Sequence, residues 1–224
     1  MKKGFLIVME GACDGIGKST QFKLLSDKLN ALGYNVTSHH FPSYNTFYGK
    51  LVEAYLAGDF GKISDLSPYF IHILYAIDRA CAWNLHLKES YNNGDIILLD
   101  RYTTSSIIYQ SSLIKDKDER KQFIDYVIDY EYNKLMIPSP DVVIFLDAPF
   151  DLVTKLRNDR KNYEGNSNDI HEKDLNFMKK VYDNSKEVAN YLHWDNINCA
   201  SDDEFKSIDE IHNDVLKKVL TKIK

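Results

Sequence analysis

Residues 10–20 read EGACDGIGKST, and their types suit the binding of phosphate. Glycines let backbone N–H groups approach phosphate oxygens, the lysine of a G-K-S step reaches the outer phosphates, and the serine hydroxyl suits Mg²⁺. The strict spacing G-x-x-x-x-G-K-[ST] wants glycine at position 12, where this chain has alanine; Gly11 stands one residue early. The cradle candidates are therefore Gly11, Asp14, Gly15, Ile16, Gly17, Lys18, Ser19 and Thr20. A surplus residue at Ala12-Cys13 is expected to be absorbed by a bulge outside the cradle, with Gly11 free to adopt a strained backbone there.

Two further clusters could bind an anion or a ring. Asp100-Arg101-Tyr102 follows an apolar run; aspartate there can hold metal-bound water and arginine can clamp a phosphate, although a surface salt bridge would read the same. Tyr75 and Arg79 are four residues apart in a helical pattern, so an aromatic face and a guanidinium could grip a nucleobase. A core tyrosine beside a solvated arginine is the alternative. The five arginines are Arg79, Arg101, Arg120, Arg157 and Arg160, in a chain otherwise rich in lysine. Their placement is therefore informative. Residues 157–169, RNDRKNYEGNSND, form a long polar segment that reads as a surface loop.

The elements that must position these groups alternate in type. Short apolar runs at 5–9, 36–41, 95–99 and 142–146, with a weaker one at 196–199, read as strands, the first four buried on both faces. Phe22, Leu25, Leu29 and Leu32 share a helical face that ends at Gly33. Ser67-Pro68 caps a long helix running towards Tyr91, and Ser207 with Glu210 forms a capping box ahead of a stripe of Ile208, Ile211, Val215, Val219 and Ile223. This alternation implies an α/β fold with a five-stranded parallel sheet covered by helices on both faces, where ligands bind at the carboxyl ends of the strands.

With 224 residues the chain reads as one domain. A net charge of −5 argues against a general nucleic-acid binder. Cys13, Cys81 and Cys199 are odd in number and far apart, which suits a reducing cytoplasm and offers no zinc site. No run of about 20 apolar residues suggests a membrane span. The opening MKKGFLIVMEG has a basic head, but its apolar run is short and leads into glutamate, so it reads as a buried strand rather than a signal peptide.

Taken together, MEG…DGIGKSTQ, FPSYNTFYGKLVEAYL, LYAIDR, LLDRYTTSSIIYQ, PSPDVVIFLDAP and the arginine-bearing loop resemble the thymidylate kinases, in the same order and over nearly the whole chain. The resemblance implies a P-loop kinase fold, a short lid at about 155–169, a homodimer, and transfer of the γ-phosphoryl of ATP to dTMP with Mg²⁺. It further implies that Lys18 and the loop amides hold the ATP phosphates, and that Ser19 and Asp100 serve the metal. Asp14 would lie near the dTMP sugar and phosphate. Phe41, Pro42 and Tyr75 would form the thymine slot, and Arg79 would bond to the base. Arg101 would take the acceptor phosphate, while Ser105, Tyr109 and Gln110 would line the nucleoside. The phosphate loop carries no arginine, so Arg157 and Arg160 in the lid become the catalytic cations. Where many family members have an arginine after the F-P step, this chain has Ser43 and Tyr44, which shifts acceptor binding towards Arg101 and Lys50. Another deoxynucleotide or deoxynucleoside kinase on the same scaffold, or a nucleotide-binding regulator without catalysis, remain as alternatives.

Overall fold

The structure is a computed structural model and describes residues 3–13, 15–156, 175–201 and 204–223. Five parallel strands make the central sheet: β1 (Phe5–Gly11), β2 (Val36–His40), β3 (Ile96–Asp100), β4 (Val142–Asp147) and β5 (Asp195–Asn198), in spatial order β2-β3-β1-β4-β5. The register pairs Met9 with Asp100 and Gly11 with Leu146, so the carboxyl ends of the three inner strands finish side by side.

Alternation along the inner strands divides the core in two. Ile7, Met9, Leu98 and Ile144 face one side, where α1 (Lys18–Ala31), α5 (Thr103–Tyr109), α6 (Lys117–Ile128), α8 (Leu175–Tyr191) and α9 (Ile208–Leu220) supply Leu25, Ile107, Phe123, Val181 and Val215. Leu6, Val8, Ile97, Leu99 and Val143 face the other, against Ala82 of α3 (Pro68–Ala82), the π-helical turn Trp83–Leu87 and Tyr91 of α4 (Lys88–Asn92). Both faces of β1, β3 and β4 are thus covered, as their apolar runs require. The expectation of burial on both faces fails for β2. It is an edge strand, and its residues are half-buried or exposed.

The helix ends follow their local chemistry. Ser67 accepts a hydrogen bond from the Tyr69 amide with Pro68 at the first helical position. Ser207 and Glu210 cap each other reciprocally. The long helix expected from Ser67 towards Tyr91 is interrupted by the π-helical turn at Trp83–Leu87. Likewise α6 passes into a π-helical turn at Asp129–Lys134. Of the two apolar stripes, Leu25, Leu29, Ile211, Val215 and Val219 are buried, whereas the end residues Leu32 and Ile208 are about half exposed. A second helix pair, α2 (Lys50–Ala57) on α3, has its own small core of Val52, Tyr55, Ile71 and Leu74. Residues 150–156 form α7, and β6 (Ala200–Ser201) pairs antiparallel with β7 (Glu204–Phe205), a ribbon the sequence pattern does not suggest. Most of the segment expected as a lid, together with its Arg157 and Arg160, lies outside the described residues, as does Asp14.

Candidate active site

The strand-to-helix connection after β1 is built for an anion. Gly17 caps α1 in the left-handed region (φ 91°), without a side-chain cap, and the first turn carries no acidic residue. The first amides of the helix and its positive end are left for a ligand to satisfy. Gly15 shares the positive φ (93°). Ser19 and Thr20 are exposed, whereas Lys18 is folded inward and buried.

Gly11 does not use the conformational freedom open to it. It is an ordinary strand residue, and the Ala12 amide extends the ladder to the Leu146 carbonyl at 2.9 Å. Glycine is needed at position 11 for a different reason: a Cβ there would lie 2.8 Å from Cγ2 of Ile16. The residues at the surplus position, Ala12 and Cys13, are buried in the core.

The ends of β1, β2 and β3 bring charges together. Asp100 is the last residue of β3 rather than the first of a loop. Its Oδ1 pairs with the Lys18 ammonium, and its Oδ2 accepts from Nδ1 of His40 at 3.1 Å. Burial opposes ionisation of Asp100, but His40 and Lys18 outweigh it and hold the carboxyl well below the usual carboxylate range. Arg101 has φ 67°, a conformation uncommon outside glycine and typical of residues constrained at functional sites. Its amide is held by the Met9 carbonyl (3.1 Å) and its guanidinium lies over the Tyr109 ring at 5.4 Å.

Glu10 is fully buried at the end of β1. Oε1 accepts from Ser105 Oγ at 2.5 Å, and Oε2 has no hydrogen-bond partner among the described residues. Burial pushes this carboxyl up, against the pull of Arg101 and Lys18. Burial and the nearby Arg101 push Lys18 down, against Asp100. Two cations and two carboxylates therefore share one corner, a balance that an arriving polyphosphate would redistribute.

On the adjoining side, the Phe41 ring packs against Tyr102 and His39, and the Phe41–Pro42 bond that follows is cis. The following turn is tied to α3 by the Ser43 amide, which donates to Asp78 Oδ2 at 3.0 Å. Tyr44 is exposed, and Lys50 is exposed at the first position of α2. Tyr75 is half-buried, edge-on to Tyr55.

Arg79 is not a solvated arginine. It is 1% exposed, and its Nε and Nη2 form a fork onto Glu131 at 2.7 and 2.5 Å. From α5 and its end come Ser105, half-buried, Tyr109, buried, and Gln110, buried with Oε1 unpartnered among the described residues. Every described residue expected at the site thus lies at the ends of β1 and β3, in the strand-end connections, or on α1, α2, α3 and α5. Sequence reasoning missed Glu10, His40 and Glu131. Glu10 had a usable signal, a carboxylate closing an apolar strand. Glu131 had none, for it sits in an otherwise polar stretch.

A family model described as thymidylate kinase matches residues 9–215. The thymidylate kinase of Plasmodium falciparum is 31% identical over 227 residues, covering 100% of this chain and 92% of that protein. Human thymidylate kinase is 27% identical over 216 residues, covering 96% and 89% respectively. Among solved structures, thymidylate kinase from Candida albicans superposes with a TM-score of 0.70 at 26% identity, over 98% of this chain and 92% of that one.

Proposed function

This chain belongs to the thymidylate kinase family, an ATP-dependent phosphotransferase acting on dTMP, and on that premise we propose how its residues divide the work. Phosphoryl transfer of this kind asks for positioning and charge neutralisation rather than covalent chemistry, since the acceptor phosphate is already anionic.

The single observation that carries the reading is the Lys18–Asp100–Arg101 corner at the ends of β1 and β3. In the proposed arrangement the amides after Gly15 and Gly17 cradle the ATP phosphates, and Lys18 exchanges Asp100 for phosphate oxygens. Arg101, fixed by its backbone and stacked on Tyr109, takes the acceptor phosphate. Tyr75 stacks on thymine, Phe41 and Pro42 wall the slot, and Arg79 donates to the base. Ser105, Tyr109 and Gln110 line the sugar, with Tyr109 crowding the place of a ribose 2′-hydroxyl. Asp14, Arg157 and Arg160 lie outside the described residues; on sequence, Asp14 serves the acceptor and the two arginines stabilise charge on the transferring group.

Mg²⁺ fits the donors present. Asp100 is a hard oxygen ligand held ionised, and Ser19 offers a hydroxyl at the helix start. Among the described residues no three His, Cys, Asp or Glu side chains form a protein-only cage. That suits Mg²⁺, which takes one or two protein ligands and completes its shell with phosphate oxygens and water. When bound, it neutralises charge on the β- and γ-phosphates. The protein is further proposed to work as a cytoplasmic homodimer on these small substrates, without nucleic-acid or membrane partners. The exposed aromatics Phe60, Tyr69 and Phe70 are surface that a second copy would cover.

Asp100→Asn tests the corner. ADP release with dTMP is expected to fall by about 10² or more, the scale of a group aimed at developing charge. Wild-type turnover in the folded variant would remove Asp100 from the mechanism.

A further inference from the structure

Arg79 and its partner Glu131 sit in a hydrogen-bond network whose side chains come from three elements, α3, α5 and the π-helical turn after α6. Glu131, fully buried in the π-helical turn after α6, accepts from Arg79 Nε (2.7 Å) and Nη2 (2.5 Å). It also accepts from His72 Nε2 (2.9 Å) on α3 and Thr103 Oγ1 (2.8 Å) on α5. Ser106 Oγ takes a bond from Nη2 at 2.8 Å.

A guanidinium has five N–H donors, one on Nε and two on each terminal nitrogen. Glu131 and Ser106 consume the Nε donor and both on Nη2. Only Nη1 is left with capacity, for its one protein partner among the described residues is the Tyr102 carbonyl at a long 3.4 Å. The bidentate fork fixes the plane of the group as well as its place.

We propose that Glu131 is the positioning residue for base selection: it locks Arg79 so that the Nη1 edge alone is presented to the 4-oxo oxygen of the pyrimidine. This rests on the reading that Arg79 meets the base. An arginine is donor-only, so a fixed Nη1 accepts thymine or uracil, whose position 4 carries an acceptor, and opposes cytosine, whose position 4 carries an amino donor. With Glu131 weakened the guanidinium gains alternative poses, and discrimination at position 4 falls. His72 and Thr103 hold the carboxylate in turn, and so act through Glu131.

The test is steady-state kinetics with dTMP and dCMP, alongside thermal melts, for Glu131→Asp, Glu131→Gln, Ser106→Ala and Arg79→Lys. Glu131→Asp keeps the charge and shortens the reach. KM for dTMP is expected to rise about tenfold with kcat within about threefold, and the dTMP:dCMP ratio of kcat/KM to fall. A purely structural role would lower the melting temperature and leave that ratio unchanged. Ser106→Ala frees one Nη2 donor without stranding a buried charge, so it reports even if both Glu131 variants fail to fold; its ratio is expected to fall in the same direction. Wild-type ratios in every variant that folds would overturn the assignment of Glu131. An unchanged KM for dTMP in Arg79→Lys would instead overturn the reading that Arg79 meets the base.

Discussion

Tyr44 sits one residue beyond the buried Ser43, exposed and 6.4 Å from the His40 ring, in the turn where the family resemblance expects an arginine. His40 in turn bonds Asp100, so this turn borders the charged corner. If the acceptor phosphate lies there, Tyr44→Arg adds a charge-assisted hydrogen bond worth about 1.5–3 kcal/mol. Titration of dTMP into the variant is expected to show tighter binding; unchanged or weaker binding would mean that Arg101 and Lys50 hold the phosphate from another side. Residue by residue, legibility followed the range of the interaction. Lys18, Ser19, Asp100 and Arg101 were readable because a local run announces each. The partners of Arg79 were not, since Glu131 is 52 residues away and Ser106 is 27.

Among the elements, the β1–α1 junction decides whether the phosphate loop tolerates its extra residue. Gly11 stays in regular strand geometry, and its bare Cα admits Ile16 into the core. Gly11→Ala places a methyl against that side chain, an overpacking that costs about 1–3 kcal/mol. A lower melting temperature with a shifted ATP affinity is the expected result, because Ile16 lies between the two glycines of the cradle. A melting temperature equal to wild type would show that Ile16 moves freely and that glycine is not required. The inner strands were legible as apolar runs bounded by polar residues, and the caps at Ser67 and Ser207 as local chemistry. The edge character of β2 was not, because strand order is a tertiary property. The two π-helical turns were also hidden: residues 83–87 and 129–134 carry ordinary helical composition, and tertiary packing sets their register.

For the molecule as a whole, arginine is scarce against lysine, so each guanidinium can be followed to its partners. Of the three described arginines, Arg79 and Arg101 belong to the proposed site, and Arg120 ties α6 to α8 through Asn184 and Glu187. His39 and Glu131 make stability fall with acid. Burial pushes His39 down from 6.5 to about 4, so its contribution is full above about pH 6.5 and is lost as pH falls through 4. Glu131, which burial opposes but Arg79 holds ionised, is lowered from 4.5 to about 2, so its contribution is lost over that more acid window. Glu10, raised by burial, acts in the opposite sense. Melting curves are therefore expected to drop between pH 6.5 and 4 in the wild type and to drop less in His39→Asn; parallel curves would refute the His39 contribution. The most direct measurement of the central claim is a panel of acceptors with ATP, scoring ADP release at matched low concentrations of dTMP, dUMP, dGMP, dCMP, AMP and thymidine. The site described here predicts the highest kcat/KM for dTMP, with dUMP next and separated by about 1–3 kcal/mol for one methyl contact. Faster phosphorylation of AMP or thymidine than of dTMP would contradict it.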